Sequence, residues 1–269
     1  MVASGAGMVA SGDGGAGLLD FLKSPGAAIQ DFYVLSGRAV VNLFRGPHYV
    51  DDIALQMDAI GVGSLPIVIL TGFFSGVVIT MQMARALEQY GATGQVGSIV
   101  AITLVRELGP VLTALLVAGR NASGIASELG SMKVTEQIDA MRALGTDPIQ
   151  KLVTPRMIAT AVMLPMLVIV ADFVGLMGGF VIAYFSIGLT PSQYWTNAYQ
   201  ALEYNDVVQG LLKPFVFAFI ISLVGCFYGL RTSGGTQGVG LATTKAVVVS
   251  SVWVFVVTSL LTRIFVNLH

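Results

Sequence analysis

Arg106 and Glu107 stand side by side in the stretch LVRELGPVLTALLVAGR, residues 104–120, and Gly109-Pro110 follows after Leu108. The rest of the stretch is mostly Leu, Val and Ala, the composition of a membrane-spanning helix. A charge in hydrocarbon costs on the order of 3 kcal/mol or more unless it is paired or hydrated, so such residues face a cavity or a partner. Neighbours in a helix point in different directions, so Arg106 and Glu107 do not satisfy one another on one face. Pro110 has no N–H to give the Arg106 carbonyl, and it kinks the helix there. Two readings follow from the residues. In one, the pair lines a hydrated cavity. In the other, it forms a structural ion pair with Asp172 or Lys245.

Covalent chemistry has no foothold. The sequence contains no G-x-S-x-G, H-E-x-x-H or phosphate-loop motif. TSGGTQG, 232–238, superficially resembles the signature of ABC ATPases. Without a phosphate loop it is a tight turn between two spans, with glycine serving turn geometry. The two histidines, His48 and His269, are far apart, and the single cysteine, Cys226, offers no metal-ligand spacing and no internal disulfide.

The elements that must position the pair are membrane helices. The chain has 269 residues, 55% hydrophobic and 11% charged, with mean hydropathy +0.80. Soluble domains are about 25% charged. A net charge of -1 gives no reason to propose nucleic acid as a partner. Five apolar stretches read as spans: 59–84, 96–119, 157–185, 214–230 and 246–262. The first is uncharged over 26 positions, roughly 39 Å of helix, against roughly 30 Å of hydrocarbon. Gly72 and Gly76, and Gly175 with Gly178 and Gly179, favour close helix contact.

Three further segments complete the division of the chain. Residues 1–17 are Gly-rich and read as a flexible tail. Residues 18–58 read as amphipathic helices lying in the membrane interface, one with Ile29, Phe32, Tyr33, Val40 and Phe44 on its apolar face and a short second one around Val50, Ile53, Ala54 and Met57. Residues 59–269 form the five-helix domain. Between its second and third spans, Val134, Ile138 and Met141 recur at helical spacing within 131–144, beside Lys133, Glu136, Asp139 and Arg142. That short amphipathic helix either packs on its own bundle or docks a partner by its apolar stripe.

Loop cations set the orientation. Lys23, Arg38, Arg45, Arg120, Lys133, Arg142, Lys151, Arg156, Arg231 and Lys245 fall on one side, against Arg85, Lys213 and Arg263 on the other. The richer side is expected to be cytoplasmic, with the N-terminus inside and the C-terminus outside. Tyr194, Trp195, Tyr199 and Tyr204 read as an aromatic belt on the outer side.

Taken together, LVRELGPVLTALLVAGR (104–120), ELGSMKVTEQIDAMRALGTDP (128–148), TPR (154–156) and ATTKAVVVSS (242–251) resemble the MlaE/YrbE family of ABC-transporter permeases, over roughly residues 30–266. The resemblance implies an all-α integral membrane protein with an N-terminal interfacial helix, five transmembrane helices and a cytoplasmic coupling helix. It implies a homodimer in the bacterial inner membrane, driven by a cytoplasmic ABC ATPase that holds ATP and Mg. This chain itself would carry no cofactor. It also implies an extracytoplasmic MCE-domain partner, with phospholipids or other lipids as cargo. Under it, Glu128, Gly130, Met132, Val134, Glu136, Ile138, Asp139 and Met141 belong to the ATPase contact. Arg106, Glu107, Pro110 and Lys245 belong to the lipid cavity, where Arg106 would meet a phosphate and Glu107 a headgroup amine or a second Arg106. A proton- or ion-coupled secondary transporter, with Glu107 or Asp172 as relay, is the alternative function.

Overall fold

A computed structural model describes residues 30–43 and 49–267. The tail 1–17, and residues 18–29 and 44–48 of the expected interfacial segment, lie outside the described residues. The described chain is helical, with no strand among the described residues. Its elements are α1 (30–43), α2 (Val50–Glu88), α3 (Thr93–Val134), α4 (Gln137–Ala143), α5 (Ile149–Ile187), α6 (Pro191–Ala201), α7 (Tyr204–Leu230) and α8 (Gly235–Asn267). Helices α2, α3, α5, α7 and α8 are long and apolar enough to cross a membrane. They coincide with the five stretches read from sequence and overrun most of them at both ends, because polar residues continue the helices outside the hydrocarbon. The short α6 marks one end of the bundle, the cap end. The 135–148 connection marks the other, the loop end.

Two small-residue contacts bind α2 to α5. A Cβ on Gly76 would lie 1.8 Å from the Gly175 carbonyl oxygen, and one on Gly178 would lie 2.3 Å from that of Phe73. Only glycine lets the two backbones come this close. The core between the helices is Val68, Leu164, Leu167, Phe217, Ile221 and Val254, with alanines from α3 between them. A second cluster at the loop end joins Leu35 and Ala39 of α1 to Ile125, Leu129, Ile138, Met157, Leu223 and Cys226.

Several expectations change. Residues 50–58 are not a separate short helix; they are the first turns of α2, which runs unbroken from Val50. In α1 the face that meets the bundle carries Phe32, Leu35 and Ala39, with the Phe32 ring edge-on to Phe227 at 5.4 Å. Tyr33 and Val40, read as part of the apolar face, are exposed. Ion pairs Arg38–Asp147 (3.2 Å) and Arg231–Asp31 (3.5 Å) fasten this helix to the loop end. Tyr194 is not a belt residue. It is fully buried in α6, packs edge-on to Trp195 and tilted against Phe180, and donates its hydroxyl to the Leu176 carbonyl at 3.1 Å. Burial pushes that hydroxyl's pKa up. Of the four residues expected in the belt, Tyr199 and Tyr204 are the exposed ones.

The amphipathic segment 131–144 is not one helix. α3 ends at Val134, and Glu136 takes a left-handed conformation with φ 60° before α4 begins at Gln137. That conformation costs a non-glycine residue roughly 1–2 kcal/mol. The break separates Val134 from Ile138. It lets α4 fold back so that Ile138 enters the loop-end core.

Candidate functional site

Arg106 and Glu107 sit in a π-helical turn, Leu104–Leu108, inside α3. Such single-turn bulges fall where a helix must re-aim side chains. Pro110 follows, buried, and cannot supply an N–H to the Arg106 carbonyl. Lys213 of α7 supplies the missing donor: its Nζ donates to that carbonyl at 2.8 Å. The same ammonium donates to Glu107 Oε1 at 2.7 Å and to Thr262 Oγ1 at 3.2 Å. Thr262, on α8, donates in turn to Glu107 at 3.0 Å. Lys213 is wholly buried, so all three of its protons need these acceptors.

Arg106 points the other way and meets Asp206, Nε to Oδ1, at 3.3 Å. Adjacent residues of α3 thus grip α7 at positions seven apart, about 10 Å along it. Gly210 lies between those grips, and a Cβ there would stand 2.5 Å from the Val105 carbonyl oxygen. Asp206 is buried, whereas a third of the Arg106 side chain stays open. Nε is the guanidinium nitrogen nearest Asp206, and no hydrogen bond from the terminal nitrogens to a described residue accompanies it. An open guanidinium fork suits an oxyanion such as a phosphate.

The expected ion pairs are therefore not the ones formed. Lys245 is exposed on α8 and has no ion pair among the described residues. It stands 17 positions before Thr262, about 25 Å along the helix, so it is not part of this cluster. Asp172 approaches α3 from α5, and its Oδ1 would lie 1.7 Å from a Cβ on Gly109. That oxygen is buried and has no hydrogen-bond partner. Glu107 has both oxygens occupied within its own chain. Lys213, read as an outer-loop cation, is a buried residue of α7. Asp206, Lys213 and Thr262 were not singled out from the sequence. The signal was the seven-residue spacing of Asp206 and Lys213, which puts both on one helical face.

The second group of residues lies at the loop end. Glu128 Oε1 binds Arg156 NH2 at 2.7 Å, and Gly130 faces the Thr232 hydroxyl. Met132 and Met141 pack on the loop-end core, and Ile138 is fully buried in it. Ile138 therefore faces the chain's own interior, not outward. Val134, Glu136 and Asp139 remain at the surface, beside Leu144, 84% exposed. Asp139 bridges Lys133 (2.7 Å) and Arg142 (3.2 Å). The hydrogen bond from Lys133, with the charges of Lys133 and Arg142, holds its carboxyl below the usual carboxylate range. In TSGGTQG, Gly234 and Gly235 take φ of 87° and 66°, as a tight turn between α7 and α8 requires.

Comparison with known proteins agrees with this architecture. The family model described as Permease MlaE matches residues 53–264. A probable ABC transporter permease protein of Rickettsia bellii is 42% identical over 238 residues, 88% of this chain and 92% of the relative. The chloroplastic protein TRIGALACTOSYLDIACYLGLYCEROL 1 of Arabidopsis thaliana is 36% identical over 86% of this chain and 66% of its own length. The intermembrane phospholipid transport system permease protein MlaE of Haemophilus influenzae is 32% identical over 92% of this chain and 98% of its own length. With five apolar helices and a match across most of its length, the chain is a multi-pass membrane protein that belongs to the MlaE family of ABC transporter permeases.

Proposed function

We propose that this chain is the membrane subunit of an ATP-driven phospholipid transporter, paired with a second copy of itself and with a separate ATPase that holds ATP and Mg. The observation that carries the reading is the open fork of Arg106, held from behind by Asp206 beside the closed Lys213–Glu107–Thr262 network. A phosphodiester binds such a fork in preference to a neutral lipid. Glu107 positions Lys213 and, through it, the carbonyl that Pro110 leaves free; it does not touch cargo. The exposed edge of Val134, Glu136, Asp139 and Leu144 is the ATPase contact, with Glu128 and Gly130 shaping the end of α3 behind it. An MCE-domain protein would meet the cap end, and the bacterial inner membrane is the expected location. Hydrolysis gives direction only if the nucleotide states differ in affinity for the lipid.

The test is reconstitution of the purified chain with its ATPase in vesicles carrying labelled phospholipid. Arg106→Ala should lower transport at least 10-fold while ATPase association and basal hydrolysis persist. Unchanged transport would overturn the cavity reading. The unpartnered oxygen of Asp172 supports a second reading, a proton-coupled carrier. It requires transport driven by a pH gradient with no ATPase present, and loss of that transport in Asp172→Asn.

A further inference from the structure

A second cationic feature lies at the loop end, far from Arg106 along the same helix. Residues Ala118–Ala122 form another π-helical turn in α3, and Arg120 sits at its centre. The turn aims Arg120 at α2. Its guanidinium lies in a notch left by Gly63, where a Cβ would stand 2.4 Å from NH2 and 2.5 Å from NH1. NH1 donates to Ser64 Oγ at 3.0 Å. No carboxylate lies within ion-pair distance of Arg120 among the described residues. A cavity of about 240 Å³ opens beside it, lined by Gln56, Ser64, Asn121, Gly124 and Glu128 among others, the Glu128 carboxylate being held by Arg156 at 2.7 Å.

The depth of this notch is set by the sequence. Residues 108–119 of α3 carry no charge, and Arg120 is the first cation after them. On α2 the last carboxylate before the uncharged run is Asp58, five positions before Gly63, about 7 Å along the helix. That places the guanidinium where hydrocarbon gives way to headgroups. From Gly63 an apolar stripe runs along α2 toward the membrane centre: Ile67, Leu70 and Phe74 follow at helical spacing and are 45%, 60% and 56% exposed. An unpaired cation, a hydroxyl and an adjoining apolar track are the parts that a phosphate with acyl chains would use.

We propose that Arg120, Ser64 and the Gly63 notch form a binding site for the phosphate of a membrane phospholipid at the loop-end leaflet, with an acyl chain along Ile67, Leu70 and Phe74. The site is distinct from Arg106. It does not rest on the transport reading, because it holds a lipid whether or not that lipid is cargo. The test is native mass spectrometry of the full chain in detergent, with added phosphatidylglycerol, diacylglycerol or orthophosphate. The wild-type chain should retain one phosphatidylglycerol adduct more than Arg120→Gln, with occupancy of that adduct falling at least 10-fold in the variant. Gly63→Ala keeps every charge but places a methyl group in the notch, and it should weaken the same adduct several-fold. Arg85→Gln, an equal loss of charge at the other end of α2, should leave it intact. Diacylglycerol should give no such adduct, and orthophosphate should not displace it. The proposal is overturned by equal adducts in wild type and Arg120→Gln, or by equal loss in Arg85→Gln. Displacement by orthophosphate would assign the site to a free anion instead. Dissociation of a dimer in Arg120→Gln would assign Arg120 to a second copy of the chain.

Discussion

Lys213 carries a heavy demand for a side chain inside the bundle. It is fully buried, and its three acceptors come from α3 and α8. Removing one member of a buried charge pair leaves the other uncompensated, at a cost of about 3–5 kcal/mol. Lys213→Ala and Glu107→Ala should each destabilise the protein, Glu107→Ala toward the lower figure because Glu107 is a third exposed. The double variant Glu107→Leu/Lys213→Met removes both charges and should lose less than the two single variants combined, as read by thermal denaturation in detergent. Additive losses would mean that the two residues act independently. Asp139 makes a pH statement at the same scale. Its carboxyl is held below the usual range by Lys133, so its contacts are complete at neutral pH. They should be lost only as pH falls below the ordinary carboxylate value of about 3.9. Amide exchange across 137–143 should therefore stay slow through that value in the wild type, and be faster at neutral pH in Asp139→Asn.

Elements were legible where hydrophobic periodicity alone decides them. The five spans coincide with long apolar runs, broken by charge only at Arg106-Glu107 and Asp172, and the Gly72/Gly76 and Gly175/Gly178 spacings mark the α2–α5 contact. What stayed hidden depends on partners distant in sequence. Arg106 and Glu107 announced that they needed partners, but Lys213 passed as an outer-loop cation and Asp206 carried no signal of its own. The apolar stripe Val134, Ile138, Met141 was real, yet periodicity does not say which surface a stripe meets. Glu136 breaks the helix against its own propensity, so the fold back of α4 was not readable locally. Relieving that strain should show it: Glu136→Gly should stabilise the 135–137 turn by up to about 1 kcal/mol, measured as slower exchange at α4. Pro110 offers the matching test in α3. Pro110→Ala returns an N–H to compete with Lys213 for the Arg106 carbonyl. The variant should fold but transport poorly in the vesicle assay; unimpaired transport would show that the kink has no function.

Across the whole molecule, the two ends differ in charge and in construction. The loop end gathers α1, α4 and the Arg156–Glu128 pair, and the cap end gathers α6 and its aromatics. Ser131 and Ser192 are exposed at opposite ends. Cysteines placed there in cells should be labelled from opposite faces of the membrane, Ser131→Cys from the cytoplasm; the reverse pattern would invert the orientation. The glycine contact between α2 and α5 has a mechanical corollary. Where backbone touches backbone, no rotamer remains to change, so these helices have no soft coordinate for sliding or tilting against one another. They must move as a single strut, and any opening of the bundle has to be absorbed at its other seams. Spin labels on α2 and α5 should keep one separation in every nucleotide state, while labels on α2 and α8 should not. A changing α2–α5 separation would show that the glycine seam yields.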